Sequence, residues 1–145
     1  MHVQALGHVV VKVRDQARAE AFYNGVLGIP IVARMDQYPV TFFSLGNHHD
    51  FAVMAVGEDA VSPPDGATGL LHVAFKIGDN LDDLRAAKRD LETAGVAVRP
   101  VDHGVSQSLY MRDPDGNEIE LYVDTSDIWK QQPEAVAHAE PLELD

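Results

Sequence analysis

No cysteine occurs among the 145 residues of the chain, which removes disulfides, thiolate metal sites and sulfur nucleophiles together. Any bound metal must take histidine, aspartate or glutamate ligands. Basic residues are also scarce: 11 Lys and Arg stand against 23 Asp and Glu, a formal charge of −12, and no local basic patch offsets it. Phosphate backbones and anionic membrane surfaces are repelled by such a surface, so neither nucleic acid nor membrane is an expected partner. No apolar run approaches the roughly 20 residues needed to cross a bilayer. The N-terminus lacks the basic-then-apolar pattern of a signal peptide, and the expected location is the cytoplasm. What is present is a globular composition, 46% hydrophobic and 23% charged, at a length that suits one domain with a real core.

The strongest local signal is Asp113-Pro114-Asp115-Gly116-Asn117 followed by Glu118-Ile119-Glu120-Leu121-Tyr122. Asp-Pro and Asp-Gly are turn dipeptides, because proline presets φ and glycine accepts positive φ. The chain must reverse here and then run extended. Side chains alternate along a strand, so Ile119, Leu121 and Val123 share one face, while Glu118, Glu120 and Tyr122 share the other. If that second face turns inward, Glu120 needs a hydrogen-bonding partner or a metal, since burying a bare polar group costs about 2–7 kcal/mol. On an exposed face both glutamates are simply solvated.

Read in order, residues 5–13 form a β-branched strand with His8 in its middle, and Asp15 to Leu27 has helical spacing at Ala19, Phe22, Tyr23 and Val26. Strands are expected at 29–33, 40–45 and 51–56, with a turn at Gly46-Asn47-His48-His49. A polar, turn-rich linker covers 57–69. The order then begins again. Residues 70–77 mimic the first strand, down to a mid-strand His72 with Lys76 four residues on, as Lys12 follows His8. A helix over 81–94, stopped by Gly95, is followed by strands at 96–98, 108–111 and 118–123. The expected class is therefore α+β: two β-α-β-β-β modules, 5–56 and 70–123, forming a curved mixed sheet around a metal-binding cleft. One domain is expected over 1–125. The acidic tail, 126–145, reads as a short helix or lid, partly mobile.

The repeat puts His8 and His72 at equivalent positions, with Glu120 on the last strand of the second half. Taken singly, each histidine is an ordinary hydrogen-bonded strand residue. Together the three form a set of two imidazoles and one carboxylate with open coordination positions, which suits iron(II), and less closely manganese(II) or zinc(II).

These halves, with Gly-His-Val-Val-Val, Leu-His-Val-Ala-Phe and Asp-Pro-Asp-Gly-Asn-Glu-Ile-Glu-Leu, resemble the vicinal oxygen chelate superfamily over about residues 5–123. The resemblance carries the metal-ligand positions of its three-ligand members onto His8, His72 and Glu120. Where glyoxalase-like members have a fourth ligand, this chain has Ala52 or Val53, which disfavours a glyoxalase. His49, His103 and Tyr110 look like three further residues of the extradiol catechol dioxygenases. The resemblance implies that His49 lies beside dioxygen as an acid–base residue, while His103 and Tyr110 donate to or orient the catecholate oxygens. It implies an iron(II) enzyme whose partners are a small aromatic diol and dioxygen. The chain departs from the better-known extradiol enzymes in having one pair of modules where they have two. Two alternatives stay open: another metal-dependent member, such as an epimerase, a lyase or a fosfomycin-type transferase, and a small-molecule binding protein without catalysis. Open sheet edges further suggest a homo-oligomer.

Overall fold

Strand β1 is Val9–Val13, a run of valines broken by Lys12. His8 is the residue before it, not within it. The physical reason is the partner: β1 pairs in parallel with β4, Phe51–Ala55, and the ladder opens at Val9 with Phe51 because residues 48–50 are still turning. His72 likewise opens its strand, β5, His72–Gly78, where the pairing with β8, Glu118–Asp124, begins at Glu118. The computed structural model describes residues 1–145. No helix in it is long and apolar enough to cross a membrane.

Between β1 and β4 the chain forms helix α1, Gln16–Glu20, then β2, Ile31–Arg34, and β3, Val40–Phe43. Asp15 caps α1 by accepting from the Arg18 N–H at 2.7 Å, which satisfies one of the orphan donors of the first turn. The helix expected as one piece changes winding: Ala21–Val26 is a π-helix, with the Leu27 N–H bonded to the Phe22 carbonyl at 2.9 Å. Phe22 and Tyr23 in this turn are both buried. Tyr23 then packs against Phe43 and Phe51 in the core, with ring centroids 5.9 and 4.7 Å away.

The second module repeats this order. β5 is followed by helix α2, Leu81–Thr93, then β6, Arg99–Asp102, β7, Ser106–Arg112, and β8. Asn80 caps α2 by accepting from the Asp82 and Asp83 N–H groups. At the other end the Gly95 N–H bonds to Glu92 and the Val96 N–H to Leu91, with Gly95 at φ 77°. This is a Schellman cap. It corrects the strand expected at 96–98: Val96 is consumed in closing the helix, so β6 starts only at Arg99.

The two sheets have matching orders, β1-β4-β3-β2 and β5-β8-β7-β6, and both are mixed: one parallel pair and the rest antiparallel. The second sheet gains an extra edge strand, β9, Glu140–Pro141, paired with β6. The tail, expected as a short helix or lid, makes two short 3-10 helices, Ile128–Lys130 and Pro133–Val136, and then this unexpected strand, and it buries Leu144. A proline is tolerated there because β9 lies at the edge. By contact the chain divides into two compact units, 1–68 with 113–117, and 69–112 with 118–145.

The turn 113–117 belongs to the first unit, and Asp113 is its anchor. Its carboxylate, buried at 4% exposure, accepts from the Tyr23 hydroxyl at 2.6 Å, the Asn117 side-chain amide at 2.8 Å and the Asp115 and Asn117 N–H groups at 2.9 and 2.8 Å. Gly116 supplies the positive φ of 90° that closes the turn. Burial and the Asp113 charge push the Tyr23 hydroxyl far above its ordinary pKa, so it remains a donor. Tyr23→Phe is expected to cost about 1.5–3 kcal/mol, the worth of a hydrogen bond to a charged group. A fall in the urea midpoint at constant m-value is the readout; an unmoved midpoint would show that the bond adds nothing.

Candidate functional site

In the second unit, alternation along β8 sends Glu118, Glu120 and Tyr122 to one face, as the sequence requires. Glu120 is buried, at 7% exposure, and partnered. Its Oε1 accepts from the Ser108 hydroxyl at 2.6 Å, and its Oε2 lies 3.1 Å from His72 Nε2. His103 Nε2 stands 4.0 Å from the same carboxylate. The solvated-glutamate alternative therefore fails for Glu120. Ser108 escaped sequence reasoning, although it sits two residues before Tyr110 on β7 and so shares that face. It is completely buried, and its hydroxyl fixes the orientation of the carboxylate.

Tyr110 lies directly opposite Glu120 across the β7–β8 ladder. Its hydroxyl is 2.9 Å from His103 Nε2, and its ring meets the His72 ring edge-on at a centroid distance of 5.5 Å. The Arg99 guanidinium covers the Tyr110 ring at 4.8 Å and reaches Glu118 at 3.8 Å. Partial burial, then the charge of Glu120 and a hydrogen bond to it, push the Tyr110 hydroxyl up to about 12, against a smaller opposing pull from Arg99. Tyr110 is therefore a neutral phenol around neutral pH, able to donate.

His103 projects from the tight β6–β7 turn. Its N–H bonds to Ser106 O at 2.9 Å, and the following Gly104 N–H bonds to the Asp102 carboxylate at 2.7 Å. Its ring thus stands on a braced loop, with Nδ1 2.8 Å from the His138 carbonyl.

In the first unit three imidazoles gather at the end of the sheet where β4 begins. The His8 and His49 rings lie 4.2 Å apart and His49 stands 5.1 Å from Phe42, edge-on. His48 and His49 share a hydrogen bond between their Nδ1 atoms at 2.7 Å, so one of the two nitrogens carries the proton and the other accepts it. Desolvation, then the neighbouring His8 and His48, push His49 below the ordinary histidine pKa, with Asp50 pulling the other way. The residues singled out from the sequence thus fall into two groups, His72, Glu120, His103 and Tyr110 in one unit, His8 and His49 in the other.

Two donors in this structure suit a metal. An imidazole nitrogen and a carboxylate oxygen 3.1 Å apart have the spacing of neighbouring ligands on one ion, given ligand distances of about 2.0–2.2 Å. Their chemistry, borderline nitrogen with hard oxygen, fits iron(II), manganese(II) or zinc(II). Neither unit by itself gathers three His, Asp or Glu side chains into ligating range, so the His72–Glu120 pair is a partial set.

Comparison with known proteins bears on what this constellation is. Residues 5–121 match the family model described as Glyoxalase/Bleomycin resistance protein/Dioxygenase superfamily. The chain is 31% identical over 120 residues to a catechol-2,3-dioxygenase of Bacillus subtilis (strain 168), covering 82% of this chain and 41% of that protein. It is 33% identical over 123 residues to biphenyl-2,3-diol 1,2-dioxygenase 3 of Rhodococcus globerulus, covering 82% and 63%. The chain thus spans less than two thirds of the length of each of these curated relatives, 41% of one and 63% of the other. Among solved structures, a glyoxylase/bleomycin resistance protein/dioxygenase domain from Frankia sp. EAN1pec superposes with a TM-score of 0.70 at 21% identity, over 86% of this chain and 100% of that one. That likeness shows the fold.

Proposed function

The chain belongs to the glyoxalase/bleomycin resistance protein/dioxygenase superfamily, a family of mostly metal-dependent enzymes, and on that premise we propose that it is an iron(II)-dependent extradiol dioxygenase opening a catechol-type ring with dioxygen. The observation that carries the proposal is the second unit's cluster: a buried carboxylate and an imidazole 3.1 Å apart, beside a Tyr110–His103 pair hydrogen-bonded at 2.9 Å. A non-redox member would need the donor pair, and a binding protein would need neither. The hydrogen-bonded phenol and imidazole suit a substrate with ionisable hydroxyls.

In this reading His8, His72 and Glu120 hold the iron, with manganese or zinc as the less favoured occupants. When bound, the metal supplies a centre at which both catechol oxygens and dioxygen meet without an organic cofactor. The chain's own residues do the rest. Ser108 holds the Glu120 carboxylate in one orientation. Tyr110, neutral across the physiological range, turns its single hydroxyl proton from His103 to a substrate oxygen and orients the ring. His103 takes the proton released as the diol binds, through the nitrogen that faces Tyr110. His49 serves as the acid–base group for the oxygen chemistry.

Iron-loaded protein prepared without air, mixed with monocyclic and bicyclic catechols and then aerated, should consume dioxygen and turn yellow with at least one of them. No uptake with any catechol, beside clear turnover of a non-redox substrate, would promote the epimerase or transferase alternative. We also propose a homo-oligomer, because β1 and β5 each end their sheet with one edge unpaired. Light scattering is expected to give at least twice the 15.8 kDa chain mass; a monomer at high concentration would end this part of the proposal.

A further inference from the structure

The tail contributes an atom to His103 that no motif in the sequence announces. Its Nδ1 lies 2.8 Å from the main-chain carbonyl of His138. A carbonyl oxygen has no proton to give, so Nδ1 must carry one and donate it. In the neutral ring the lone pair is then on Nε2, the nitrogen 2.9 Å from the Tyr110 hydroxyl. The opposite tautomer would set two acceptors against each other at His138 and leave that exposed hydrogen bond unmade.

Both ends of this bond are built. On the tail side, β9 pairs with β6 through Pro141 with Val101 and Glu140 with Asp102, and Leu144 is buried at 8% exposure beyond it. This fixes the backbone of residue 138 independently of its side chain. On the His103 side, Gly104 takes a φ of 74°, and its carbonyl accepts from the Thr125 hydroxyl at 3.0 Å. The His138 side chain lies against Gly104: a Cβ built there would meet its Cδ2 at 3.5 Å, an ordinary van der Waals contact.

We propose that the C-terminal segment 137–144 is a positioning element for His103: the His138 carbonyl keeps the ring proton on Nδ1 and so leaves Nε2 unprotonated, accepting from the Tyr110 hydroxyl until a substrate hydroxyl takes its place. Its catalytic meaning rests on the dioxygenase reading; the tautomer does not. Residue 138 is then a positioning residue that acts through His103.

The test reads the tautomer directly. In metal-free protein labelled with 15N-histidine, at alkaline pH, long-range proton–nitrogen spectra should show His103 with a protonated Nδ1 and a bare Nε2, the resonance being assigned by its loss in His103→Gln. A chain ending at Val136 should lose that signature, as should Leu144→Asp, which frees the tail while leaving every residue of the cluster in place. Leu144→Met should keep it. In iron-loaded protein both disrupting variants should lower kcat for the catechol by about 10–100-fold, as loss of a partner that orients a site histidine typically does, with a smaller change in KM. A protonated Nε2 in the parent protein, or a signature that survives both disruptions, overturns the proposal whatever the activity. If the signature behaves as stated and no catechol is turned over, the positioning role stands and the dioxygenase reading falls. Should the shortened chain fail to fold, Leu144→Asp alone decides.

Discussion

Replacing His49 with alanine is expected to lower kcat by about 10²–10⁴-fold, the usual worth of one well-placed acid–base group, while iron content and catechol affinity hold. His49 is no ligand in the proposed set. It stands on the first unit's imidazole cluster, 4.2 Å from His8 and backed by Phe42, so its loss removes a proton carrier and leaves the donors of Glu120 and His72 untouched. The effect should appear in single-turnover chemistry, with catechol binding unchanged under anaerobic titration. A kcat equal to that of the parent enzyme would assign the acid–base role elsewhere. Tyr110→Phe should fall less, because the hydroxyl it removes is held neutral, its pKa raised to about 12, and donates a hydrogen bond without shuttling the proton.

Glu120→Ala is expected to abolish stoichiometric metal and all ring cleavage. The carboxylate is the only anionic donor of the proposed set, and its charge offsets that of the ion. Alanine also orphans the buried Ser108 hydroxyl, which accounts for a separate loss of about 1–3 kcal/mol in stability. Glu120→Gln separates the two effects: it keeps the shape and an acceptor for Ser108, loses the charge, and should fold like the parent with strongly weakened metal binding. Elemental analysis after dialysis, alongside denaturant unfolding, reads both. A full metal complement in Glu120→Gln and in His72→Ala would put the metal at another site.

The repeated order of elements was legible in the sequence because hydrophobic period and turn chemistry are local properties. Both halves follow β-α-β-β-β as read, and Glu120 sits on the inner face of its strand as alternation after Asp113-Pro114-Asp115-Gly116 requires. Strand boundaries were less legible. His8 was expected mid-strand and lies just outside β1, because the strand starts where its partner β4 starts, some forty residues away. The strand expected at 96–98 begins at Arg99, because a helix cap claimed Val96 first.

The tail shows the same limit more sharply. Nothing in the composition of 126–145 distinguishes a two-residue edge strand from a loop, for a strand that short has no period to read and contains a proline. The residue types of the proposed site, two repeated histidines, an inward glutamate, and the His49, His103 and Tyr110 set, were present as sequence. What only the tertiary structure decided is which atoms meet: Ser108 with Glu120, Tyr110 with His103, and His103 with the carbonyl of residue 138, 35 positions along the chain. Such contacts depend on strand register and on backbone atoms, and every residue has the same carbonyl.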